Sequence, residues 1–123
     1  MESFDKEKAE LLFSLGVDDL YFELGSSLEK PKFGMAPRPR NKVVEVAIEW
    51  CKSKKTDLAK RLCDNKKFQS LLNSQSANRK IELASVAFDA IASLSDVFGG
   101  VPTLTLSVLV VRELAHNLCE SSN

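Results

Sequence analysis

Apolar residues recur along most of the chain at the three-and-four spacing of a helix, and two stretches also alternate in the manner of a strand. The clearest helical stretch is residues 77–94. With Ile81 at 0° and roughly 100° per residue, Leu83, Ala84, Ala87, Phe88, Ile91 and Leu94 share one side, while Glu82, Ser85, Asp89 and Ser93 hold most of the other. A face that broad belongs to a central helix with several neighbours. Near the N-terminus a helix is predicted over residues 5–15. Ser3 is its cap, Asp5 and Glu7 suit its positive end, and Gly16 stops it. Phe4, Leu11, Leu12 and Leu15 form its apolar stripe, and a short helical turn with Leu20, Tyr21 and Leu24 follows before Gly25.

The two alternating stretches decide the fold class. In residues 43–50, Val44, Val46, Ile48 and Trp50 alternate with Glu45, Ala47 and Glu49, yet Val43, Val44, Ala47, Ile48 and Cys51 fit a helical stripe equally well. The length of the run and a capping Asn41 favour a helix over 41–53. Residues 103–111 also alternate, but the apolar pattern continues to Cys119 and Pro102 stands where a helix tolerates proline best. That favours a helix over 103–119. Residues 56–73 cannot form one straight helix with a single buried face, because Leu58 and Leu62 point about 100° away from Phe68, Leu71 and Leu72. A break at Asp64-Asn65 resolves this into helices over 56–63 and 66–73. The predicted fold is all-α, a compact bundle of five or six helices. The alternative is an α+β fold with strands near 43–50 and 103–111.

The 123 residues make one domain, with an N-terminal helical segment (1–24), a basic linker rich in Pro and Gly (25–40) and a main helical unit (41–119). Formal net charge is zero, but it is unevenly spread. Residues 1–29 carry eight acids and two bases (−6), residues 30–80 fourteen bases and four acids (+10), and residues 81–123 five acids and one base (−4). Such asymmetry points to an anionic partner, or to a middle segment that folds against its acidic flanks. The N-terminus is acidic and polar, unlike a targeting peptide. The longest uncharged run, residues 97–111, is interrupted by Gly99-Gly100-Val101-Pro102 and is too short to span a membrane.

Catalytic and metal chemistry find little to work with. Cys51, Cys63 and Cys119 form no C-x-x-C pair, and the single histidine, His116, precedes Cys119 by three residues. An odd cysteine count without a secretory leader reads as three free thiols in a reducing cytosol. His116 lacks an evident nucleophile and orienting acid, and no phosphate-binding glycine loop occurs. No catalytic residue, metal, cofactor or small-molecule substrate is therefore expected. Leu58-Ala59-Lys60-Arg61-Leu62 resembles the opening of a helix-turn-helix, but Cys63 stands where Gly is usual and Asp64 where an apolar plug belongs.

Two surfaces remain as candidates. One is the last helix, whose apolar residues Leu106, Leu109 and Val110 lie on the side opposite Leu104, Val108, Val111 and Leu118 and so form a possible partner or self-association face. The other is a basic surface for an anion or acidic partner, built from Lys54, Lys55, Lys60, Arg61, Lys66 and Lys67, with Arg38 and Arg40 on the proline-stiffened arm. Lys66 and Lys67 would sit at a helix N-terminus, where acids are preferred. The function expected is that of a small, non-catalytic cytoplasmic adaptor that binds another protein or a second copy of itself. The alternative is nucleic-acid binding through the basic 30–80 segment.

Overall fold

In the computed structural model, described for residues 4–28, 39–74, 77–98, 101–114 and 118, the elements are helices throughout, with no strand among the described residues. The order is α1 (Lys6–Ser14), α2 (Val17–Leu28), α3 (Arg40–Cys63), α4 (Lys66–Leu72), α5 (Arg79–Ala92), α6 (Ser95–Phe98) and α7 (Thr103–Leu109). A π-helical turn, Val110–Leu114, continues directly from α7. The all-α expectation holds, and both stretches that alternate like strands are helical. α2 lies along α3, α5 packs on α4 and α7, and α7 also meets α1 and α2.

Local chemistry accounts for most of the ends. Asp5 caps α1, its carboxylate accepting from the Lys8 N–H at 3.1 Å, and Leu15 ends the helix in extended conformation. Ser3, the expected cap, lies outside the described residues. Phe4 therefore precedes the helix and does not share its stripe. It packs edge-on against Phe88, the ring centroids 5.8 Å apart. The buried face of α1 is Ala9 and Leu12, which turns Leu11 and Leu15 outward, 67% and 39% exposed. The expected stripe is thus rotated by about a quarter turn.

α2 continues through Gly25 to Leu28, so the linker begins later than expected. α3 is one helix of 24 residues, because nothing in Ser53-Lys54-Lys55 breaks it. Its end falls at the expected place. Asn65 caps α4, its side chain accepting from the Phe68 N–H at 3.0 Å, while Gln69 Nε2 donates to the Cys63 carbonyl at 2.9 Å.

The core runs through all these elements, with Leu20, Leu24, Leu58, Leu62, Phe68, Leu106, Val108, Leu109, Val110 and Leu118 fully buried. Leu106, Leu109 and Val110 are each 0% exposed, so they are core residues and present no docking face. The cause is neighbours on every side of α7: α5, α1 and α2 all pack against it. Even Ser107 is enclosed, its hydroxyl donating to the Thr103 carbonyl at 2.7 Å. Arg112, in the π-helical turn, donates to the Leu15 carbonyl and ties the end of the chain's last described helix to the α1–α2 junction. Cys51 is a buried free thiol, whereas Cys63 is held in a disulfide, so the expectation of three free thiols does not hold. Cys119 and His116 lie outside the described residues.

Candidate anion-binding surface

The C-terminal half of α3 carries polar and charged side chains on the face turned away from Leu58 and Leu62. Where α3 gives way to α4, the chain runs beside α5 and borders an open cleft of about 540 Å³. Lys60 and Arg61 border it from α3, Asn65 and Lys67 from the α4 start, and Ser85, Asp89 and Ser93 from α5. Its apolar lining is Val86 and Ala90. A second hollow of about 430 Å³ shares Lys60 and Asp64 with the first and adds Lys55 and Thr56.

Arg61 spans the cleft. Its Nη2 donates to Ser93 Oγ at 3.0 Å, and that hydroxyl donates in turn to the Ala90 carbonyl at 2.7 Å. The guanidinium is thus positioned by a neutral group, and among the described residues no carboxylate pairs with it. Asp64 and Asp89 also border the cleft, yet among the described residues neither forms an ion pair with Lys60, Arg61 or Lys67. The arrangement offers several cationic donors in one concavity, with two carboxylates at its edge. The Ser93 hydroxyl proton is committed to the Ala90 carbonyl.

The expected basic residues divide into three groups. Lys55, Lys60, Arg61 and Lys67 border the joined hollows, and Lys66 is exposed beside them in the first turn of α4. Lys54 lies apart, its ammonium 5.9 Å from the centroid of the Trp50 ring. Arg40 belongs elsewhere altogether. It opens α3, twenty residues and so about 30 Å from Lys60 along the helix. There it pairs with Asp19 and stacks over Phe22, 4.7 Å from the ring centroid. Its work is to fasten α2 to α3, which removes it from the cleft. Arg38 lies outside the described residues.

Periodicity could not have shown that α5 supplies the far wall. Ser85, Asp89 and Ser93 read simply as its solvent side, and only the packing of α4 on α5 brings them opposite Lys60 and Arg61. The buried titratable groups lie outside this surface. Burial pushes the Cys51 thiol up to about 12. Tyr21 is likewise pushed up to about 12 by burial, helped by Cys51 and Glu113. No helix among the described residues is long and apolar enough to cross a membrane. Compared with protein-family models, with curated proteins and with solved structures, the chain matches none of them.

Proposed function

We propose that this chain is a small helical binding module, without catalysis of its own, that docks an acidic protein surface on the face formed by α3, α4 and α5. The observation that carries the proposal is the convergence of Lys60, Arg61 and Lys67 on one cleft with no ion pair among the described residues to neutralise them. Unpaired cations at a concave surface raise the encounter rate and orient an acidic partner. A protein is favoured over nucleic acid because Asp64 and Asp89 in the same cleft can accept hydrogen bonds from the N–H and O–H donors of a protein partner, and a phosphate backbone carries no such donors. Neither hollow is lined by an aromatic side chain on which bases could stack. The apolar helix face expected from Leu106, Leu109 and Val110 has no part in this reading, since all three are in the core. A cytoplasmic location loses its thiol argument with Cys63 in a disulfide, and docking does not depend on it.

The test is fluorescence anisotropy with a labelled polyglutamate peptide and a labelled DNA duplex at about 50 and 200 mM salt. The peptide is expected to bind, to weaken with salt, and to be lost in the Lys60→Glu/Lys67→Glu double variant. Tighter binding to the duplex, with a log–log salt slope of about 0.9 per phosphate contacted, would transfer the surface to nucleic acid. Binding to neither probe would sink the proposal.

A further inference from the structure

We infer that Cys63 is paired with Cys119, and that this disulfide is a reducible staple whose opening releases the end of the chain from the α3–α4 junction while the bundle stays folded. The inference stands apart from the docking reading.

The pairing follows from the cysteines themselves. The chain has three, Cys51, Cys63 and Cys119. Cys51 is a free thiol, 1% exposed, and Cys63 is disulfide-bonded. Within one chain the partner sulfur is then that of Cys119. Position agrees. Leu118, the residue before it in sequence, lines the hollow of about 430 Å³ that Cys63 also lines, beside Ala59 and Lys60. Consecutive Cα atoms are about 3.8 Å apart and a disulfide spans Cα atoms about 4.4–6.8 Å apart, so a residue next to Leu118 is within reach of Cys63.

The staple acts at one edge of the bundle. Cys63 is the last residue of α3, and its carbonyl accepts from Gln69 Nε2 at 2.9 Å. α7 is enclosed by α1, α2 and α5 without the bridge, and Arg112 ties the π-helical turn to the Leu15 carbonyl. Beyond that turn, which ends at Leu114, the described residue set into the bundle is Leu118, 0% exposed. Once the covalent link opens, one leucine must hold the segment against the chain entropy regained. Access also favours reduction here. Cys63 is half-buried on an open hollow where a thiolate can enter, whereas Cys51 is sealed in the core. One thiolate of a small dithiol attacks a sulfur of the bridge, the S–S bond breaks, and the other cysteine leaves as a thiolate that takes up a proton. The second thiol then displaces the mixed disulfide, so the dithiol is oxidised to its own disulfide and Cys63 and Cys119 are both reduced to thiols. The hollow shares Lys60 and Asp64 with the larger cleft, so this exchange takes place at the rim of the basic surface.

Peptide mapping of the unreduced full chain is expected to find Cys63 joined to Cys119 and Cys51 free. Dithiothreitol at neutral pH, without denaturant, should then open the bridge, and iodoacetamide should label Cys63 and Cys119 at least about tenfold faster than Cys51. Amide hydrogen exchange should quicken at least about tenfold in residues 115–123 and stay level in α5. Helical circular dichroism should persist, with the melting temperature lower by roughly 5–15 °C. Cys119→Ser should show the same exchange without reductant, and Cys51→Ala, which leaves the bridge intact, should not. A different pairing, a bridge that opens only in denaturant, or exchange at the chain end that reduction leaves unchanged overturns the inference. Exchange that quickens in α5 as well overturns it too, because the bridge would then hold the whole bundle.

Discussion

Gly25 sits inside α2 at its closest approach to α3. A Cβ built there would press on the Val43 carbonyl and lie 2.8 Å from Val43 Cγ1. The residue lies within a helix where two helices touch closely, which is why a linker beginning at Gly25 was the wrong expectation. Gly25→Ala gains about 1 kcal/mol of helix propensity. It incurs overpacking against a backbone atom that cannot swing away, a cost of about 1–3 kcal/mol or more. A net loss of stability is expected, read as a lower urea midpoint with an unchanged slope. The second residue-scale expectation concerns alkaline pH. Cys51 titrates at about 12 in the fold against 9.0 when solvated, and Tyr21 at about 12 against 10.0. In both cases the folded state holds its proton more tightly, so their contribution to stability is complete below pH 9 and is lost as pH rises toward 12. Urea midpoints should therefore be level through neutral pH and fall above 9.0, and Cys51→Ala should delay the fall until the Tyr21 range near 10.0. A thiol reagent that labels Cys51 in the native protein at neutral pH would contradict that burial.

At the scale of elements, Leu109 and Leu11 make a controlled comparison. Both are leucines in helices, one 0% and the other 67% exposed. Leu109→Ala is expected to cost about 2–5 kcal/mol, and Leu109→Glu to abolish the cooperative thermal transition, because α7 has no water to offer a carboxylate. Leu11→Glu should stay within about 0.5 kcal/mol of wild type. A folded Leu109→Glu variant would mean that α7 is not enclosed. The same contrast shows what could be read from the chain. The Asp64-Asn65 break was legible because capping chemistry is local, and α5 because its apolar arc is wide. Two features were not. The α1 stripe was misphased because Phe4 precedes the cap and does not follow helical periodicity. The enclosure of α7 was hidden because an apolar side looks the same to sequence whether another helix or a partner covers it. The joining of residues 41–53 and 56–63 into α3 belongs with these, since Lys54 and Lys55 look like punctuation yet are good helix formers.

Over the whole molecule, the basic face works against the fold that carries it. Lys55, Lys60, Arg61, Lys66 and Lys67 crowd the α3–α4 junction, and among the described residues none has a carboxylate within ion-pair distance. Lys66 and Lys67 stand in the first turn of α4, which contains no acid. There they face the partial positive charge of the helix end. The acidic N-terminal segment relieves little of this directly. Among the described residues its one bridge to the basic segment, Asp19 to Arg40, lies at the far end of α3 and is half exposed, so it adds at most about 1 kcal/mol. A cluster held against local electrostatics is what a binding site looks like when function and stability conflict. The consequence is a pair of opposite responses to one substitution. Lys66→Glu replaces a repulsive charge at a helix N-terminus with a favourable one, and should raise stability by about 0.3–1 kcal/mol. In a chain of this length that is a rise of roughly 1–5 °C in melting temperature. Raising the salt should erase most of the gain, because all the charges concerned are exposed. The same variant should bind polyglutamate more weakly than wild type, since it places a carboxylate beside Lys67 at the edge of the cleft. Measured together, a higher melting temperature at low salt with reduced binding marks the lysines as kept for a partner. A lower melting temperature would show that Lys66 is already neutralised in solution, and the electrostatic argument for this surface would fail with it.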